Sequence, residues 1–271
     1  MSAPPRSKSK SKKAREAAPS SGPGVWSRGN LPWHEFHWRE FPWLDSEWSR
    51  ARWSYLIGLG YLLIGYLGTN EFAAMNPWNR PALPIATSID AALPYVPETV
   101  VFYILYYPLL LTPLAFAPSV ASLARLTLAQ AAMNTFSYII FILYPTPIER
   151  PALPNTPWQF PEDWARAILE TLYRADHPYN TFPSLHVAQT ALIALFFVRY
   201  EAKWFTRPMT SRGMTTVMIV HVTMAGLVAV SAVLIKQHYV ADAAAGGIMA
   251  SIMAWLLWSR RPKHAAASMK A

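Results

Sequence analysis

Residues 179–200 read YNTFPSLHVAQTALIALFFVRY. A proline at 183 suits the first turn of a helix, where its missing N–H costs nothing, so Ser184 and His186 are predicted at a helix N-terminus. The apolar run from 183 to 200 is one of six in the chain, beside 53–70, 99–118, 120–145, 214–235 and 239–258. Several approach the ~20 residues that a helix needs to cross ~30 Å of hydrocarbon, and the shorter ones can borrow flanking residues. The expected fold is all-α: an integral membrane bundle of six transmembrane helices over residues 53–258.

Composition agrees with that reading. Of 271 residues, 53% are hydrophobic and only 14% charged, a balance richer in apolar side chains than an ordinary soluble domain. The net charge of +9 does not point to nucleic acid, because ten of the 24 Lys and Arg residues lie in the first 52 positions and four follow Trp258. Absence of cysteine removes disulfides, thiolate metal sites and cysteine nucleophiles.

Residues 1–30, rich in Pro, Ser, Ala, Gly and Lys, hold too little apolar surface to fold and read as a disordered basic tail. The tail loosely resembles a transit peptide, but a plain cytoplasmic tail is favoured. Over 31–52 tryptophan recurs at 33, 38, 43 and 48, and again at 53, interrupted by Pro32 and Pro42. A five-residue spacing spirals around a helix, and the mixture with arginine suits the headgroup layer. Residues 259–271 form a second basic tail.

Lys and Arg also set an orientation. Ten precede position 53, four lie in 199–213 and four follow 258, whereas the opposite loops carry only Arg80, Arg150, Arg166, Arg174 and Lys236. The positive-inside rule then places both termini in the cytoplasm. Under that topology Arg150, the 183–186 segment and the start of the last helix at His238 share the non-cytoplasmic side, and ionisable residues gathered at one depth suggest a common site.

His238 and Asp242 are spaced i to i+4, so the carboxylate can orient one imidazole nitrogen and leave the other free to attack phosphorus. His186 can return a proton to a leaving oxygen as general acid, and Ser184 can donate to a phosphoryl oxygen at a helix end that already attracts anions. Arg150, in YPTPIERPAL, can grip two phosphate oxygens at once, unless it simply pairs with Glu149. His221 reads as a packed mid-helix residue. No His-Glu-x-x-His pattern supports a zinc site, and no cofactor is expected.

Taken together, Arg150-Pro151, Pro183-Ser184-Leu185-His186, then Ser231, His238 and Asp242 in that order resemble the type 2 phosphatidic acid phosphatase superfamily. The resemblance covers roughly residues 100–258. It implies a six-helix bundle, a metal-independent mechanism, His238 as nucleophile, Asp242 as its orienting carboxylate, His186 as general acid, and Arg150 and Ser184 on the phosphate. The FPSLH wording is closer to the branch containing inositol phosphorylceramide synthases than to members reading Pro-Ser-Gly-His.

Two positions depart from the phosphatase pattern: Leu143 stands where a lysine is expected, and Ala232 where an arginine is. Lys236 is the first candidate to replace those phosphate-binding cations, with Arg174 second. The expected function is therefore transfer of a phosphate-bearing head group between lipids, with membrane phospholipid or lipid phosphate as partner and no nucleic acid. A lipid phosphate phosphatase and a non-catalytic anion-binding protein or transporter are the alternatives. The compactness of the chain favours a bacterial inner membrane. A short amphipathic helix is expected within 161–176, PEDWARAILETLYRAD, as a lid on the site or an interfacial anchor, with Asp176 and His177 as loop residues.

Overall fold

The computed structural model describes residues 46–79, 85–154, 156, 159, 163–199, 203–204 and 207–258. The tails expected over 1–30 and 259–271, and most of the tryptophan-rich segment, lie outside them.

Each apolar stretch carries helix. α1 (Glu47–Met75) begins at Ser46, whose Oγ accepts the Ser49 N–H at 3.0 Å, and stops at Asn76, a left-handed residue whose N–H returns to the Phe72 carbonyl. After the short α2 (Ser88–Ala92), a 3₁₀ turn at Pro97–Thr99 leads into α3 (Val100–Ile104) and α4 (Tyr106–Phe116). These two are halves of one rod: Pro108 has no N–H to offer the Ile104 carbonyl, and the helix breaks at Leu105. α5 (Val120–Leu143) opens with Ser119 and Ser122 capping each other's N–H groups. α6 (Trp164–Ala175), α7 (Leu185–Arg199), the two-residue strands β1 (Lys203–Trp204) and β2 (Arg207–Pro208), α8 (Ser211–Leu234) and α9 (Val240–Trp258) complete the order.

Three helical segments, Pro97–Phe116, Val120–Leu143 and Ser211–Leu234, are long and apolar enough to cross a membrane, and Leu185–Arg199 and Val240–Leu256 are shorter apolar helices. Tyrosines and glycines dilute α1, which matches the others in length rather than in hydropathy. Ile57, Ile64, Leu128, Ile139, Val222, Val230, Ile248 and Trp255 stand exposed around the bundle, a density of outward apolar side chains suited to lipid rather than water.

α1 packs along α5, and α7 packs against both α8 and α9. Gly65 admits the Tyr138 ring against the α1 backbone, and the Tyr138 hydroxyl donates to the Leu62 carbonyl at 2.7 Å. Leu123, Leu126, Met133, Phe141, Leu192, Ile193, Phe196 and Phe197 fill the centre. Polar groups there are joined: Gln130 Nε2 donates to Gln189 Oε1 at 2.8 Å, and Gln189 Nε2 to Asn134 Oδ1 at 2.6 Å. A second, smaller core lies beneath α6, where Leu169 and Ala165 meet Val100, Tyr103, Ala232 and Ile235. The opposite face of α6 carries Arg166 and Arg174 paired with Glu170, so its amphipathic pattern is expressed as the sequence suggests.

Candidate active site

Loop chemistry assembles the site at one end of the bundle. Thr146 is the knot: its N–H donates to the Tyr179 carbonyl at 2.9 Å, its Oγ1 accepts the Phe182 N–H at 2.9 Å, and its carbonyl accepts from Thr181 Oγ1 at 2.7 Å. The Asn70 side chain clamps the His177 backbone from α1 through paired bonds of 2.7 and 2.8 Å. The chain after α5 is thereby strapped to the chain before α7, and Arg150 is carried to Asp176.

α7 starts at Ser184, whose Oγ faces the Val187 N–H at 3.4 Å in N-cap position. α9 is laid directly against this end, with the Ser184 N–H donating to the Asp242 carbonyl at 3.1 Å. Gly246 makes the approach possible: a Cβ there would fall 2.5 Å from the Ser184 carbonyl oxygen and 3.2 Å from the Ala188 nitrogen. Gly247, one residue on, faces nothing within 4 Å. Gly246→Ala is expected to destabilise the protein by about 1–3 kcal/mol, through overpacking, and to lower turnover with it. Gly247→Ala is expected to be neutral or slightly stabilising. Thermal unfolding of the two variants checks this, and equal midpoints would remove the packing argument.

His238 follows a tight helix stop. Lys236 is left-handed (φ 55°), its N–H donates to Val233 O, and the Gln237 and His238 N–H groups both donate to Ala232 O. These bonds form a Schellman motif at the end of α8, with lysine where glycine is usual. The Lys236 ammonium donates to the carbonyls of Asp90 and Leu93, each at 2.9 Å. That placement corrects the expectation that Lys236 grips phosphate: its charge is spent on the foot of α2.

Asp90 completes the support, accepting the Val240 N–H on Oδ1 at 2.7 Å and Thr87 groups on Oδ2. Burial pushes its carboxyl upward, but the Thr87 and Val240 bonds and the Lys236 charge outweigh that and hold it below the ordinary carboxylate range. Asp90 therefore caps α9 from another helix, a role no local pattern announces.

Within this frame the predicted histidines meet. Their ring centroids lie 5.8 Å apart, and both residues are buried. His238 Nδ1 faces the Thr181 carbonyl at 3.1 Å and Asp242 Oδ2 at 3.3 Å, while the same Oδ2 accepts the Tyr239 N–H at 2.9 Å. Acceptors on Nδ1 place the proton there and leave Nε2 its lone pair. Asp242 is 0% exposed, and its Oδ1 has no hydrogen-bond partner among the described residues. His186 lies between Tyr103 and Tyr106, both at 4.4 Å between centroids, with Tyr107 at 6.5 Å, and its Nδ1 meets the Tyr103 hydroxyl at 3.2 Å. Tyr103 and Tyr106 flank the break at Leu105, and with Tyr107 they bring three rings to the imidazole.

Arg150 is held from several sides. Nη1 donates to the Asp176 carbonyl at 2.6 Å, Nη2 to Asp176 Oδ2 at 3.1 Å and to Gln237 Oε1 at 2.7 Å, and the guanidinium lies 4.8 Å over the Tyr173 ring. The partner is thus Asp176 rather than the neighbouring Glu149, and Asp176, which lies past the end of α6 as the loop reading expects, turns its carboxylate to the guanidinium. Tyr66 also donates to Asp176 Oδ1 at 2.8 Å. Arg174 instead pairs with Glu170 and is 79% exposed on the outer face of α6.

At the two departing positions, Ala232 is sealed at 0% exposure in the core beneath α6, and Leu143 points outward, 48% exposed. Among the described residues no three His, Cys, Asp or Glu side chains converge as a metal site.

A helical chain of membrane-spanning character with two facing histidines, a carboxylate behind one of them and an arginine at the same end defines a class of phosphate chemistry. The profile of the PAP2 superfamily matches residues 126–265, about half the chain, and the protein belongs to that superfamily. Membership supports an enzyme of phosphatase or phosphotransferase type. No curated protein and no solved structure matches the chain.

Proposed function

We propose that the protein transfers a phosphate-bearing group between membrane lipids through a phospho-histidine on His238. The observation that carries this reading is the facing pair, with His238 Nδ1 bound by the Thr181 carbonyl and Asp242 and the His186 ring 5.8 Å away.

In the first step the Nε2 lone pair of His238 attacks phosphorus, and the bond from phosphorus to the departing lipid oxygen breaks. His186 gives that oxygen its proton, and Asp242 steadies the positive charge left on the His238 ring. Arg150 and the amide-rich start of α7 at Ser184 hold the phosphoryl oxygens. In the second step His186 takes the proton of an acceptor hydroxyl, whose oxygen attacks phosphorus as the N–P bond breaks.

With water as acceptor the same steps give a lipid phosphate phosphatase. Transfer to a lipid alcohol is favoured by the burial of both histidines and by Leu143 and Ala232 standing where phosphatase members carry cations. The FPSLH segment adds a likeness to inositol phosphorylceramide synthases, which makes a phospholipid donor and a ceramide or diacylglycerol acceptor the pair to try first. Six helices cross the membrane in this reading, with both termini cytoplasmic and the site on the non-cytoplasmic face, as the distribution of Lys and Arg suggests.

The test is incubation of purified protein with head-group-labelled phospholipid, with and without ceramide or diacylglycerol. A labelled lipid product that appears only with acceptor supports transfer, water-soluble labelled head-group phosphate in its place supports hydrolysis, and neither product removes both.

A further inference from the structure

Beside His186 the bundle holds a cavity of about 430 Å³, within the usual range for a small-molecule site. Leu59, Leu63, Tyr66 and Leu67 form one α1 stripe of helical periodicity along one wall, a stretch about 12 Å long. Leu110 of α4 and Leu172 and Ala175 of α6 are among the residues that close the other sides. Polarity enters where His186, Asp176 and Gln237 contribute to the lining, the last two being the groups that hold Arg150. Leu63 and Leu67 are themselves 58% and 43% exposed on the outside of the bundle, so the cavity wall is also part of the lipid-facing surface.

A small soluble phosphate has no use for the aliphatic wall, and a plain hydrocarbon has none for the polar end. We propose that the cavity binds one hydrocarbon chain of the phosphate-bearing lipid, entering sideways past α1, and that Leu63 and Ala175 set which chain is accepted. This assignment rests on the proposed lipid reaction for its orientation: the phosphate sits at the histidines and the chain runs along α1. Leu63 and Ala175 are specificity residues here, with no part in bond making.

The experiment uses the full-length protein in nanodiscs, with butyl, hexyl and octyl phosphate as probes and partition into protein-free nanodiscs subtracted. Affinity is expected to rise about fourfold for each methylene buried, and at least tenfold from butyl to octyl. Leu63→Trp, which puts an indole into the wall from a lipid-exposed position, is expected to cancel that rise and leave butyl phosphate binding unchanged. Leu63→Met is expected to preserve it. Ala175→Phe approaches from α6 and serves if the tryptophan variant fails to fold. Equal affinities for butyl and octyl phosphate in the unmodified protein, or a Leu63→Trp variant that weakens both alike, would overturn the proposal. Chain-dependent binding without any lipid transfer would leave the cavity assignment standing and sink the reaction, whereas transfer indifferent to chain length would do the reverse.

Discussion

His238→Ala is expected to lower transfer of labelled head group by roughly 10⁴- to 10⁶-fold, the range seen when the nucleophile of a covalent mechanism is deleted. Among the described histidines only this one has Nδ1 fixed by a carbonyl and a carboxylate together, which presents its Nε2 as a lone pair of fixed direction. Acid-labile phosphoprotein, trapped by rapid quenching, should vanish with it. His186→Ala separates the roles. Removal of a general acid costs about 10²- to 10⁴-fold with a poor leaving group such as a lipid alkoxide. An aryl phosphate needs no proton on its leaving oxygen, so with that substrate His186→Ala should still form the phosphoprotein. Persistence of labelled protein in His238→Ala would transfer the nucleophile's role elsewhere.

The helices were largely legible in the sequence because burial in lipid or core acts on runs of neighbouring residues. Each stretch predicted from apolar character coincides with a helix, within a few residues at the ends except for α1, whose ends run further. Two of its extra residues are Glu47 and Arg50, and a Ser46 cap rather than hydrophobicity decides where it starts. Proline explains the one break inside a stretch, and Pro108 was visible, but the bunching of Tyr103, Tyr106 and Tyr107 on His186 depends on where that break falls against α7.

The site divides the same way. Geometry joins His186, Ser184, His238 and Asp242 because their spacing along two helix ends is local, and Gly246 brings those ends together. Asp176 escaped notice because its link to Arg150 spans 26 positions and is made by the Thr146 knot, which has no short-range signature. Lys236 misled because its left-handed backbone lacks the glycine that normally advertises a helix stop. Nearness to His238 in sequence does not carry over into space, because the turn sends the Lys236 ammonium to the carbonyls at the foot of α2.

Arg150→Lys is expected to lose about 10²- to 10³-fold in turnover, comparable to loss of a donor aimed at developing phosphoryl charge. The guanidinium spans the Asp176 carbonyl, the Asp176 carboxylate and Gln237 at once, and an ammonium is a single point charge unable to bridge all three. Because Asp176 ionised cancels much of that charge, the protonation of its carboxyl sets how much of the guanidinium's charge is left for a phosphate. Burial pushes the Asp176 carboxyl above its ordinary range, with the Arg150 charge, the Tyr66 hydroxyl and His238 drawing it only partly back. An acid with a raised folded pKa holds its proton more tightly in the native state, so its contribution to stability is full below the unfolded carboxylate pKa. That contribution fades as pH rises through the raised value. In the same window, falling pH should place a proton on Asp176, release Arg150 toward the substrate phosphate and lower KM. Asp176→Asn should flatten that acid-side change while keeping the carbonyl bond to Nη1. A KM profile measured for both forms decides it: if the asparagine variant keeps the full pH dependence, Asp176 is not the group that restrains Arg150.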